Sequence, residues 1–197
     1  MYFCSLIAKT MTFSEAYIQL KAFARIDGVV LGALWLFGFA CFIGMFHYPT
    51  CGMLCMIIAL MTPFLVAMRV GRFRDHVLDG FISFRRAFGY SLYVFFYGSL
   101  ILALGVAIYF HFFDHGFVAD QFNLLFSSPD VGAYARRLGY SDALIQASID
   151  AWKEARPIDM ALQTIMSSIM LGGIVSVIIA LVKRRPAPTP PMNGNLN

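Results

Sequence analysis

Residues 87–113 read AFGYSLYVFFYGSLILALGVAIYFHFF, a run without Asp, Glu, Lys or Arg. At a helical rise of about 1.5 Å per residue it is long enough to cross a hydrocarbon layer of about 30 Å. Arg85 and Arg86 stand immediately before it, and Asp114 and His115 immediately after. Three further apolar runs lie over 28–46, 51–68 and 158–182, the last with a single charge, Asp159, at its start. The sequence therefore predicts an all-α integral membrane protein with four transmembrane helices arranged as two antiparallel hairpins. An N-terminal amphipathic interfacial helix precedes them, and a helical periplasmic segment separates the third from the fourth.

Composition agrees. Of 197 residues, 59% are hydrophobic and only 13% charged, where a soluble domain carries about 25% charged residues. Mean hydropathy is +0.71. The net charge of +4 invites a nucleic-acid reading, which we reject because the basic residues flank apolar spans. Cys4, Cys41, Cys51 and Cys55 lack metal-type spacing and read as small apolar residues.

In chain order, residues 1–27 form a cytoplasmic lead. Thr12 and Glu15 have capping-box spacing, and Ala16, Leu20, Phe23 and Ile26 share one helical face. Translation from Met11 would remove the less patterned first ten residues. Residues 28–182 form the membrane domain, and the first span is expected to remain as an anchor. Gly28 and Gly32, then Ala40 and Gly44, are four apart in the first span, the spacing of close helix packing. Residues 47–50 are too few for anything but a tight turn. Pro63 predicts a kink in the second span.

The link over 69–86 carries Arg69, Arg72, Arg74, Arg85 and Arg86. They read as topology determinants touching lipid headgroups or, alternatively, a partner. Phe73, Val77, Phe81 and Phe84 suggest that part of this link lies along the membrane surface. In the third span Tyr90, Tyr93 and Tyr97 are candidates for a polar cavity, although simple helix packing explains them as well. The periplasmic segment over 114–157 predicts two helices, one starting at Ser127–Pro129 and stopping at Gly139, the other running from Ser141 to about Ala155. In the fourth span Thr164, Ser168, Gly172, Ser176 and Ala180 make an unbroken i, i+4 stripe of small residues that must press on another helix. Residues 183–197 end the chain as a disordered cytoplasmic tail.

Basic residues divide 11 to 4 between the two sides of this arrangement, and acidic residues 4 to 7. Both termini are thus expected in the cytoplasm. No hydrolase, zinc-protease or nucleotide-binding motif occurs, and no catalytic, cofactor or metal site is expected. His111 and His115 share a helical face, but two ligands do not make a metal site. The middle thirds of the spans hold no residue that ionises near neutrality, which counts against an ion-coupled carrier and an intramembrane enzyme.

TFSEAYIQLKAFARIDGVVLG, PFLVAMRVGRFRDHVLDGFISFRRAFGYSLYVFFYGSL and RPIDMALQTIMSSIMLGGIVSVIIALVKR together carry a resemblance. The chain resembles, over about residues 12–185, the uncharacterised membrane proteins of domain-of-unknown-function family four-one-nine-nine, found mostly in Bacteroidetes. That resemblance implies a four-helix inner-membrane protein of a Gram-negative bacterium and transfers no catalytic motif. The expected function is a non-enzymatic accessory or structural subunit, partnered by membrane lipids and by copies of itself or another membrane protein, with no nucleic acid. The alternative is a small transporter or channel for an apolar or lipid-like substrate.

Overall fold

The structure, a computed structural model, describes residues 13–185, with side chains from Tyr17 onward. The Met11 start, the Thr12–Glu15 capping box, Cys4 and the tail over 186–197 lie outside the described residues. The helices are α1 (Phe13–Gly44), α2 (Pro49–Val77), α3 (Phe84–Phe112), α4 (Phe117–Ser127), α5 (Pro129–Arg137), α6 (Asp142–Glu154) and α7 (Pro157–Lys183). Four of them, α1, α2, α3 and α7, are long and apolar enough to cross a membrane, as in a multi-pass membrane protein. In lipid a helix satisfies every backbone group within one segment, which is why such runs adopt it.

Local signals set the helix starts. Pro49, Pro129 and Pro157 open α2, α5 and α7, where a fixed φ and a missing N–H cost nothing. Ser83 and Ser141 cap α3 and α6, their hydroxyls accepting from Arg86 N at 3.4 Å and Leu144 N at 3.2 Å. The Asp114 carboxylate accepts from the Gly116 and Val118 amides at 3.1 Å each. Gly116 itself takes φ 87°, the left-handed turn from α3 into α4.

The segment over 114–157 holds three helices rather than the expected two, because Gly116 and the Asp114 carboxylate start α4 ahead of them, and two boundaries also differ from expectation. The lead and the first span are one unbroken helix, α1, with no break at Asp27. Likewise α2 does not leave at Met68 for a surface segment but continues to Val77. One physical reason covers both: Asp27 and Arg69 pair with each other across α1 and α2 at 3.0 Å, so neither charge has to seek water where the apolar run ends. Phe73, expected on the membrane surface, is instead buried in the core.

Side-chain contacts fix the order of packing. Gly44 meets Cys51, Gly38 meets Ile58, Trp35 meets Thr62 and Asp27 meets Arg69, so α1 and α2 run antiparallel from the turn at residues 45–48. Gly28 lies against Tyr97, Gly32 against Ile101 and Gly105 against Leu36, so α1 and α3 run parallel. Phe95 seats on Gly172, and Ile82 and Arg185 exchange two backbone hydrogen bonds of 2.9 Å, so α7 runs antiparallel to α3. The helix α3 is the centre of this layer. Its apolar window is 39% buried within the chain, against 11% for α2, which leans over the layer from one side.

The glycine seats are close. A Cβ at Gly28 would stand 2.5 Å from Tyr97 Cβ, and one at Gly172 would stand 2.6 Å from Phe95 Cγ, whereas nothing lies within 4 Å of one at Gly89. Gly28→Val and Gly172→Val should each cost about 1–3 kcal/mol through overpacking. Gly89→Ala should be neutral or stabilise by up to about 1 kcal/mol. Unfolding in mixed micelles measures all three; equal stability of all three variants would mean that the seats are not close-packed.

Candidate functional site

The four long helices close tightly at the end where α1 begins and α7 ends, and part at the other. At the closed end Val66, Val70, Phe73, Tyr90, Val94, Ile179 and Ala180 form a buried core. Arg74 reaches across from α2 to the last turn of α7, its Nη1 donating to Lys183 O at 3.5 Å. Towards α4–α6, α2 and α7 separate and leave a cavity of about 650 Å3, backed by α1 and α3. Its size is within the range of about 300–1,000 Å3 typical of small-molecule sites.

The walls of this cavity are mostly apolar and aromatic, with Trp35, Phe39, Phe95 and Phe110 on the α1 and α3 side and Ala59 and Pro63 on α2. The polar wall is neutral: Thr62, Gln163, Thr164, Ser167 and Ser168 line it, and among the described residues no Asp, Glu, Lys, Arg or His does. Several of these hydroxyls are already engaged. Thr62 Oγ1 accepts from Trp35 Nε1 and donates to Ile58 O, both at 3.0 Å. Thr164 Oγ1 donates to Met160 O at 2.8 Å. The helix α2 continues as a helix through Pro63 at the cavity wall, and Pro63 supplies no N–H to its ladder there.

The small-residue stripe of α7 divides at this cavity. Gly172, Ser176 and Ala180 are buried, and Gly172 presses on Phe95 of α3. Thr164 and Ser168 are only half-buried and face the cavity, which Gly172 also touches. The stripe is thus partly an intrachain seam and partly a cavity wall.

The three tyrosines occupy a different place. None of them lines this cavity. Tyr90 is buried, stacks on Phe73 with ring centres 4.6 Å apart, and donates its hydroxyl proton to Asp27. Tyr93 shares a hydrogen bond with Tyr17 of α1, and Lys21 Nζ stands 4.5 Å from the Tyr17 ring centre and 5.7 Å from that of Tyr93. Arg25 Nε donates to the Tyr97 hydroxyl at 3.4 Å. All three tyrosines therefore tie α3 to α1.

The arginines scatter rather than cluster. Arg69 binds Asp27, Arg74 bonds Asp75 and α7, and Arg72, Arg85 and Arg86 are exposed. Sequence reading missed the Asp27–Arg69–Tyr90 cluster, which joins α1, α2 and α3. The signal for it was present: with only four residues between the first two spans, residues equally distant from the turn must face each other. Asp27 and Arg69 are such a pair.

A buried ion pair gives little net stability, but removing one partner leaves a charge without compensation, at a cost of about 3–5 kcal/mol when burial is complete. The Arg69 side chain keeps 27% of its exposure, which reduces the penalty. Asp27→Ala should therefore cost about 2–3 kcal/mol, and adding Arg69→Met should restore part of the loss. A double-mutant cycle on unfolding in mixed micelles measures the coupling; strictly additive losses would contradict the pairing.

The α4–α6 segment caps the open end. Phe122 of α4 packs edge-on against Trp152 of α6 at 5.4 Å between ring centres, and Trp152 meets Phe110 of α3 at 6.4 Å. Phe46, beside the α1–α2 turn, packs on both Phe117 and Phe122. Lys153 Nζ bonds Asp120 at 2.7 Å, which fixes α6 to α4 and holds the Lys153 ammonium above its ordinary range. Among the described residues no three His, Cys, Asp or Glu side chains gather at one point.

No curated protein and no solved structure matches this chain. The family described as protein of unknown function (DUF4199) matches residues 27–185. That match begins at Asp27, the residue that joins the first three long helices, and runs through the cap to Arg185, which closes α7 on α3. The chain belongs to this family of proteins of unknown function, DUF4199.

Proposed function

We propose that the protein is a non-enzymatic, multi-pass protein of a bacterial inner membrane, that both its termini are cytoplasmic, and that it holds a lipid-like apolar molecule between α2 and α7. The observation that carries this reading is the cavity of about 650 Å3, with its apolar and neutral polar wall. A charged substrate would meet no counter-charge there, whereas an aliphatic or aromatic body would lose no hydration on entering from lipid. Among the described residues the wall also offers no Asp, Glu, Lys, Arg or His for coupling to a proton or ion gradient, so holding or passive passage fits better than driven transport. Orientation rests on the basic residues, which divide 11 to 4 in favour of the terminal side and leave the α4–α6 cap in the periplasm. The helices then pair as two antiparallel hairpins, α1 with α2 and α3 with α7. The terminal part of α1, with Lys21 and Arg25, lies at the cytoplasmic headgroup level.

A second reading has support of its own. Thr164 and Ser168 are the part of the α7 stripe that α3 does not cover, and small residues at such spacing admit a close helix. In this accessory-subunit reading the gap between α2 and α7 takes a transmembrane helix of a partner protein or of a second copy.

Mass analysis of the full chain, extracted gently from its native membrane, separates the two. We expect one apolar small molecule retained per chain. Ser168→Trp, which fills the cavity from a half-buried position, should lower that occupancy several-fold while the helical circular dichroism stays unchanged. Retention of the molecule by the Ser168→Trp variant would overturn the cavity reading. Stoichiometric capture of a defined membrane protein, lost in the same variant, would establish the subunit reading instead.

A further inference from the structure

The cap holds a cavity of its own. The helices α4, α5 and α6 line an open cavity of about 580 Å3, walled by apolar side chains that include Phe122, Leu138, Leu144 and Ile149, with Ser148 at its edge. Leu144, Ile145, Ile149 and Trp152 are the apolar face that the sequence gives α6, and in the fold this face looks into the cavity rather than onto a packed core. Leu138 and Leu144 remain 60% and 52% exposed, so the face is short of partners within the chain.

Trp152 lines this cavity and also the one between α2 and α7. Its ring is the partition between them, held edge-on by Phe110 and Phe122. On the far side, Phe126, Ile145 and Ile149 separate the cap cavity from a smaller and more polar one of about 340 Å3, where Asn123, Arg136 and Gln146 stand. The apolar cap cavity therefore lies between two more polar spaces, the membrane-facing one with its neutral hydroxyls and amide, and a hydrogen-bonding rim where Arg136 pairs with Asp142 at 3.0 Å.

We propose that the cap is a second binding site, for the single aliphatic chain of an amphiphile drawn from the bilayer past Trp152, with its polar head towards Asn123, Gln146 and the Arg136–Asp142 pair. A water-soluble apolar ligand is disfavoured because the cavity adjoins the membrane-facing one through a single side chain. The apolar cavity meets the membrane-facing one at Trp152 and the polar rim at Phe126, Ile145 and Ile149, an order that suits the tail and head of one amphiphile. The proposal rests on the ligand class inferred for the intramembrane cavity but not on that cavity's being occupied.

The chain has two tryptophans, Trp35 and Trp152, which allows one experiment to address both sites. A fatty acid brominated in mid-chain quenches an indole that it touches. The full protein is placed in bilayers of unbrominated phosphatidylcholine and titrated with this probe. In the Trp35→Phe variant, which reports on Trp152, we expect saturable quenching. Adding Ser148→Phe, at an exposed position on the cavity edge, should reduce it several-fold, and Leu144→Glu, which puts a charge into the same space, should do likewise. Trp152→Phe reports on Trp35 and serves as the reading of the intramembrane cavity.

Trp152 quenching that persists in both blocked variants would mean that the chain reaches the indole from the membrane side alone, which overturns the cap site. Quenching that rises linearly without saturation is simple partitioning into lipid and overturns it too. Saturable quenching of Trp35 without any of Trp152 leaves the intramembrane reading standing and removes the cap site. Saturable, blockable quenching of Trp152 without any of Trp35 does the reverse.

Discussion

Close approach of α1 and α7 to α3 is the constraint on which the rest of the structure depends. Between helices in lipid the hydrophobic effect supplies no attraction, so association rests on contact, and contact needs small residues. Gly28 and Gly32 on α1 receive Tyr97 and Ile101, Gly98 on α3 receives Leu31, and Gly172 on α7 receives Phe95. These seats set the depth and register of α1 and α7 on the central helix. Everything polar at the closed end follows from that register, since it brings Tyr90 to Asp27 and Tyr93 to Tyr17.

The same layer explains the open end. The helix α2 is held to α1 by its short turn, by Trp35 on Thr62 and by Arg69 on Asp27, but it meets α7 and α3 only near the closed end. Pro63 and the small Ala59 leave α2 without bulk where α7 presents Thr164, Ser168 and Gly172. Small faces on both sides of a gap produce space rather than contact when no third element fills it. The polar cluster at one end and the cavity at the other are thus two outcomes of one packing arrangement.

Across the open end lies a cap built on aromatic edges rather than on a core of its own. Three helices of this length bury too little apolar surface to stand alone. They borrow stability from Phe46, Phe110 and His47, against which Trp152 and Phe117 pack. A cap that is held at its base and hollow above it keeps an interior, and Trp152 is where that interior meets the membrane-facing cavity.

Local sequence was enough for the four apolar helices, for the starts of α5 and α6 at Ser128–Pro129 and Ser141, and for the resemblance to a family of unknown function. These are properties of neighbours along the chain: hydropathy over a window, a capping hydroxyl, a missing N–H. It also marked the α7 stripe as a packing face. Only the tertiary structure decided which helix that face meets and where contact stops, because a stripe of small residues is the same whether it is covered or opens on a cavity. The helices run on past Asp27 and Met68 for a related reason. A charge ends an apolar run in sequence, but it need not end a helix when a partner from another helix neutralises it. Tyr90, Tyr93 and Tyr97 carried a polar atom whose destination no local pattern specifies, and the parallel packing of α1 on α3 directed all three to α1.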